Sequence, residues 1–110
     1  MYRLTCLFGH PDDPAAFQEH YRNVHIPLGK QLPGIKRWIV GLCETQDGKP
    51  PPFYMIAELC TATREDMEQL LASPQGQTVA ADVANFATGG ATIILYQEEV
   101  IHPERPCDAH

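Results

Sequence analysis

Four side chains that could do acid–base or ligand-binding chemistry lie within one short stretch of this sequence: His20, Tyr21, Arg22 and His25. An imidazole titrates near neutral pH, so it can exchange a proton without a large shift of its pKa. His25 follows Tyr21 by four residues, a spacing that places two side chains on neighbouring turns of one helix. The pattern indicates His25 as the principal candidate catalytic residue, with Tyr21 beside it.

A structural role for His25 is the alternative. A histidine at the C-terminal end of a helix can bond backbone carbonyls, and the helix dipole favours its charged form. A structural histidine and a histidine that handles a proton or orients a ligand therefore both remain open interpretations of His25. For His20 we prefer the structural interpretation, because its spacing puts it nearer to the solvent flank.

One helix should carry these residues. Asp13 can accept a hydrogen bond from the first turn, and Pro14 at the first helical position loses no needed donor. An apolar face is predicted from the helical spacing of Phe17, Tyr21, Val24 and Leu28. Because Pro27 disfavours the helical conformation of the residue before it, the helix should end near His25. His25 would then lie at the edge of the buried face.

The composition limits the class of protein. The chain has 110 residues, 44% of them hydrophobic, which suits a single domain with a modest core. A net charge of -6 without a cluster of basic residues argues against nucleic acid and anionic membranes as partners. No apolar run approaches the ~20 residues of a membrane span. The four cysteines form no CxxC pair, and no signal-peptide layout precedes the first strand, so we expect a reduced cytoplasmic protein.

The order of elements predicts the fold class. Strand-like runs cover residues 2–8, 35–43, 53–60 and 91–98, and helical patterns lie between the first and second and between the third and fourth. This β-α-β-β-α-β order predicts an α+β, ferredoxin-like domain with an antiparallel four-stranded sheet and both helices on one face. The domain should span residues 1–99, and residues 100–110 read as a C-terminal tail.

The strands carry apolar side chains on both faces of the predicted sheet. A sheet with one wet face should instead alternate apolar with polar residues. A monomer would therefore expose a large apolar surface, which soluble monomers rarely do. We expect a second copy of the chain to cover the face without helices, giving a homodimer.

The motif F-x-x-x-Y-x-x-x-H-x-P-L at residues 17–28, followed by L-P-G at 32–34, resembles the EthD family, named for ethyl tert-butyl ether degradation. The likeness continues at FYMIAEL (53–59), S-P-x-G (73–76) and D-x-x-x-F (82–86). The resemblance implies a dimeric α+β barrel, in which two ferredoxin-like sheets pack face to face. It also implies a relationship to cofactor-free monooxygenases, muconolactone isomerases and polyketide cyclases. Those enzymes hold small, often aromatic ligands between sheet and helices.

We expect neither a metal centre nor a cofactor. His20 and His25 are five residues apart and share a helix face poorly, and His10 with Asp12 and Asp13 reads as a solvated turn. No histidine occurs between residues 26 and 101, which disfavours haem, because haem-degrading barrel relatives place their axial ligand in the second helical region. Dinucleotide, P-loop and nucleophile-elbow motifs are missing from the sequence.

The remaining candidates are ligand-binding residues. Phe17, Trp38 and Tyr54 supply aromatic surface from elements that should converge. Asp82 reads either as a structural flank residue or as a carboxylate that orients a histidine.

Two classes of function follow. The first is a cofactor-free enzyme of catabolism or secondary metabolism that acts by proton transfer on a small hydrophobic or aromatic compound, as an isomerase, cyclase, dehydratase or monooxygenase. The second is a non-catalytic binding or accessory protein of a degradation pathway. A dimer whose cavity is filled by its own side chains is a third option.

Overall fold

The fold is the expected ferredoxin-like one. A computed structural model describes residues 1–103, and the part of the predicted tail from residue 104 onward, with Cys107 and His110, lies outside this range. The strands are β1 (Tyr2–Phe8), β2 (Arg37–Leu42), β3 (Met55–Thr61) and β4 (Ala91–Gln97). They form one antiparallel sheet in the order β2-β3-β1-β4, so both crossovers place helices on the same face.

Short helices with side-chain caps cover one face of the sheet. They are α1 (Pro14–His20), α2 (Ile26–Gly29), α3 (Arg64–Ala72) and α4 (Pro74–Asp82), with a π-helical turn at Tyr21–His25 and a 3-10 turn at Val83–Asn85. Asp13, Thr63 and Ser73 each accept a hydrogen bond from a first-turn amide, at 3.0–3.1 Å. Within residues 1–103, none of these helices has the length and apolarity needed to cross a membrane.

The first helical segment does not end at His25, so that prediction was wrong. The π-helical turn follows α1 directly, and α2 continues the same segment through Pro27 to Gly29. The amide of Ile26 donates to the carbonyl of Tyr21, five residues earlier. Pro27 lies directly after this bond, where the pattern changes from i−5 bonds to the i−4 bonds of α2, so its missing N–H falls at the irregular point of the segment.

This π turn changes which side chains face the sheet. A π turn takes up one residue more than an α turn, so the buried positions recur every four residues through it. The buried stripe is Phe17, Tyr21, His25 and Gly29, whereas Val24, predicted to be buried, is 40% exposed. His25 is consequently in the middle of the buried face and not at its edge.

The core lies between the helices and one face of the sheet. Leu4, Phe8, Met55 and Ala57 point from β1 and β3 towards the helices, and all four are buried. Above them, the ring of Phe86 packs edge-on against Phe17, with ring centroids 5.0 Å apart. This contact joins the two helical segments of the single layer that covers the sheet.

The helix-free face of the sheet is less apolar than predicted. Arg3, near the start of β1, makes ion pairs of 2.8 Å with Glu58 and 2.9 Å with Glu98. Exposed apolar residues lie on the same face: Ile39, Ile56, Ile94 and Tyr96. The register pairs Arg3 with Cys60 and Glu58 with Thr5, which brings charged side chains onto a face that the side-chain alternation had suggested was apolar.

Candidate functional site

A small apolar cavity lies between the sheet and the helices. Its volume is about 90 Å³, and its lining includes Tyr21, His25 and Trp38 together with aliphatic residues of β1, β3, β4, α3 and α4. Two of the lining side chains, Leu71 and Ile93, are exposed, so the cavity reaches the surface beside them. An apolar cavity of roughly 150 Å³ binds benzene, so this volume suits a ligand of only a few heavy atoms or the end of a larger one.

The carboxylate of Asp82 joins His25, which lines the cavity, to His20, which lies outside the lining. Asp82 is the last residue of α4 and is buried. Its Oδ2 lies 2.8 Å from Nδ1 of His25, and its Oδ1 lies 2.8 Å from Nε2 of His20. The same Oδ1 also accepts a 3.0 Å bond from the side-chain amide of Asn85. Two histidines of the first helical segment are therefore held by one carboxylate of the second.

The hydrogen bond to Asp82 determines which nitrogen of His25 is free. An ionised carboxylate only accepts hydrogen bonds, so Nδ1 of His25 must carry the proton that it donates. In the neutral ring Nε2 is then the basic nitrogen. No partner within residues 1–103 bonds Nε2, yet Nε2 is not a buried unpaired atom, so it keeps accessible surface. His25 itself lines the cavity, so its ring is within reach of a bound molecule.

The environment favours a neutral His25 beside an ionised Asp82. Burial lowers the pKa of His25 and outweighs the hydrogen bond and charge of Asp82, which act in the opposite direction. Burial alone would raise the pKa of Asp82, but the bonds from Asn85, His20 and His25 hold it below its usual range. At neutral pH the site therefore combines a neutral imidazole in the cavity wall with a carboxylate able to stabilise its protonated form.

This lowered pKa predicts a loss of stability in mild acid. Below pH 6.5 the unfolded chain protonates this histidine, while folded His25 resists protonation until a lower pH. The contribution of His25 is therefore present above pH 6.5 and is lost as the pH falls through its folded pKa. The melting temperature should drop between pH ~7.5 and pH ~5.5, and the drop should be smaller in His25→Asn. An equal drop in both proteins would contradict this assignment.

Two other titratable groups line the cavity in their neutral forms. Burial raises the pKa of Tyr21 to about 12, so its hydroxyl remains a hydrogen-bond donor at neutral pH. Burial also raises the pKa of Cys6 to about 11, which keeps this thiol protonated. Because the thiolate is the nucleophilic form, Cys6 contributes apolar surface and not a nucleophile.

Close packing against Gly29 sets the position of Trp38. A Cβ atom built at Gly29 would lie 2.5 Å from the Trp38 ring. The missing side chain of Gly29 leaves room for the outer edge of the indole against the helical segment, where Trp38 lines the cavity. The π turn is what brings Gly29 onto the buried stripe opposite this ring.

The other ligand-binding residues predicted from the sequence, Phe17, Tyr54 and Asp82, do not line the cavity. Phe17 packs against Tyr54, with ring centroids 5.0 Å apart, and Gln18 donates a 2.8 Å bond to the Tyr54 hydroxyl. Tyr54 thus belongs to the helix-covered side of the sheet, a point that the sequence left open. Phe17, Tyr54 and Asp82 are not among the cavity-lining residues, and a direct ligand contact by any of them stays a prediction.

His20 is the residue whose place in the site the sequence did not reveal. It is 62 residues from Asp82, and its ring stacks on Phe86 at 5.3 Å, while Phe86 also contacts His25 at 4.8 Å. His10, by contrast, is exposed and bonds the carbonyl of Pro51. Within residues 1–103, no three His, Cys, Asp or Glu side chains are grouped so as to hold a metal ion.

Comparisons with known proteins settle the family. The family model of the EthD domain matches residues 10–90. The chain belongs to the EthD family. An uncharacterised 11.0 kDa protein from the thcB-thcC intergenic region of Rhodococcus erythropolis is 48% identical over 103 residues, covering 94% of this chain and 100% of the relative.

Solved structures agree with this assignment. An EthD family protein of Bacillus halodurans superposes with a TM-score of 0.84 at 28% identity, covering 90% of this EthD chain and 99% of its own. A hydroxynitrile lyase from Passiflora edulis gives 0.71 at 14% identity, covering 93% and 97% of the two chains. SnoaB, a cofactor-independent oxygenase from Streptomyces nogalater, gives 0.64 at 16% identity, covering 94% and 96%. At these low identities the two enzymes share only the fold.

Proposed function

We propose that this EthD protein binds a small hydrophobic or aromatic compound in the cavity and transforms it without a cofactor, with His25 as the general base. The observation that carries the proposal is the pairing of Nδ1 of His25, a cavity-lining residue, with buried Asp82, which leaves Nε2 as the basic nitrogen. A base oriented by a third group is the usual arrangement of side chains that abstract protons. Isomerisation, cyclisation, dehydration and oxygenation all begin with such a step in compounds that contain an acidic C–H or O–H bond.

The proposed step uses three side chains. Nε2 of His25 removes a proton from the bound compound, and the electron pair stays on that compound as an enolate or phenolate. Asp82 stabilises the imidazolium that forms, since its carboxylate is already bonded to Nδ1. Tyr21 donates its hydroxyl proton as a hydrogen bond to the developing oxyanion. The apolar lining keeps water away, which strengthens these interactions.

We expect the ligand to be uncharged and small. The cavity is lined almost entirely by apolar side chains, and the carboxylate of Asp82 is bonded to the lining residue His25, where it would repel an anion. Thermal-shift screening should therefore show stabilisation by phenols and small ketones, and none by nucleotides, sugars or phosphate esters. At a ligand concentration of 100 times Kd the stabilisation would be about 2.7 kcal/mol.

A cavity-filling variant provides the control for that screen. Ala57 is buried and lines the cavity, so Ala57→Leu should occupy the volume and abolish the ligand-dependent shift. Preferential stabilisation by nucleotides, or an unchanged shift in Ala57→Leu, would overturn the proposed binding site. Binding of phenols without any proton exchange would favour a non-catalytic accessory protein.

We also propose that the protein works as a homodimer in the cytoplasm. The exposed apolar residues on the helix-free face need a cover, and a second copy offers both apolar surface and complementary charges. The described cysteines Cys6, Cys43 and Cys60 are free thiols, which suits a reducing compartment.

Light scattering at micromolar concentration should give the mass of a dimer, because a standard interface of ~1,600 Å² supports stable association. Ile94→Glu places a charge on the helix-free face and should shift the protein towards monomer. Val24→Glu is the matched control, since Val24 is exposed to a similar extent, 40% against 45% for Ile94, but lies on the helical segment. A compact wild-type monomer would refute the dimer.

A further inference from the structure

The second histidine bonded to Asp82 has no role in the step described above. His20 Nε2 lies 2.8 Å from Oδ1 of Asp82, on the opposite carboxylate oxygen from His25. Since the ionised carboxylate can only accept, Nε2 of His20 carries a proton. The carboxylate is thus fixed from both sides by imidazole donors of the same helical segment, which lie five residues apart.

The setting of His20 differs from that of an ordinary surface histidine. Its side chain is only 27% exposed, and its ring stacks on Phe86 with 25° between the planes. Phe86 in turn packs against the His25 ring. One aromatic side chain therefore restricts both imidazoles, so neither ring can turn freely about the carboxylate.

The other donor to Oδ1 cannot replace this contact between helices. Asn85 follows Asp82 by only three residues, so its 3.0 Å bond is local to one turn of chain. The bond from His20 joins residues 62 positions apart and links α1 to the end of α4. Without it, Asp82 could rotate and leave Oδ2 no longer opposite Nδ1 of His25.

We propose that His20 is a positioning residue of this site: it fixes Asp82 so that His25 stays in the tautomer with Nε2 as the basic nitrogen. The inference rests on the proposed role of His25 and adds a residue through which that role is maintained. His20 itself does not touch the cavity, since His25 and not His20 belongs to the lining. Its effect passes through the carboxylate alone.

Nitrogen-15 NMR of the imidazole rings tests this without any substrate. In the wild-type protein at pH values above the pKa of His25, we expect one His25 tautomer, protonated at Nδ1. His20→Phe keeps the stacking on Phe86 but removes both ring nitrogens, and it should give a mixture of His25 tautomers. His20→Gln retains a donor near the position of Nε2 and should restore the single tautomer. Asn85→Ala is the matched control and should leave the tautomer unchanged.

The outcomes are distinguishable from a failure of the proposed function. A single Nδ1-protonated tautomer in folded His20→Phe would overturn the positioning role, whatever activity the protein has. If His20→Phe does not fold, His20→Ala carries the same test, because shortening a partly exposed side chain leaves the core intact. A mixed tautomer in the variant together with an inactive wild-type protein would support the positioning role and refute only the catalytic proposal.

Discussion

His25→Asn is expected to lower turnover by roughly 10²–10⁴-fold, the usual contribution of a general acid or base. The structure makes asparagine an informative replacement, because its side-chain amide can occupy the place of Nδ1 and still donate to Oδ2 of Asp82. Only the basic nitrogen is lost. Ligand affinity should change much less than turnover, since the apolar lining provides most of the contact surface.

The measurement combines deuterium exchange with melting temperature. Exchange of C–H protons into D₂O is followed by NMR for the compound that the thermal-shift screen identifies. His10→Asn is the matched control, because His10 is exposed and outside the cavity, and this variant should keep wild-type exchange. Full activity in a stable His25→Asn protein would rule out the catalytic assignment. A lowered melting temperature with normal activity would indicate a structural histidine.

The fold was accessible from the sequence because local signals agreed with each other. Strand β1 was predicted with its observed bounds, and the caps at Asp13, Thr63 and Ser73 begin helices where turn chemistry requires them. Alternating apolar residues identified the other strands, with ends within about two residues of those observed. The ends of an element are the part that local patterns fix least well. The ion pairs of Arg3 were missed because they depend on register between strands far apart in sequence.

The site was accessible only in part. Spacing pointed to His25 and Tyr21, and both line the cavity. The π turn was missed because a period of 3.6 residues was assumed throughout the helix, and Val24 was therefore expected on the buried face and His25 at its edge. The role of His20 was missed because its partner, Asp82, is 62 residues away, and no local pattern reports such a contact.

Loss of the Asp82 carboxylate should affect both stability and activity. In Asp82→Leu the buried Nδ1–H of His25 has no acceptor, and an unsatisfied buried donor costs about 1–3 kcal/mol. With ~4–8 °C per kcal/mol for a domain near this size, the melting temperature should fall by roughly 5–20 °C. His20 and Asn85 also lose their acceptor, but both contact solvent and should contribute less.

Asp82→Asn separates the electrostatic effect from the loss of packing. The amide keeps the volume but has one acceptor oxygen, so its NH₂ group meets one of the two imidazoles, and that histidine must change tautomer to accept from it. Because the packing is kept, most of the stability should remain, while the negative charge that stabilises protonated His25 is removed. In a serine protease triad the equivalent change lowers turnover ~10⁴-fold, and a loss of at least ~10²-fold is expected here. Exchange rates and melting temperatures of both Asp82 variants, with Asn85→Ala as control, check the prediction. If Asp82→Asn exchanges protons at the wild-type rate, the carboxylate does not assist proton abstraction by His25, and the prediction is wrong.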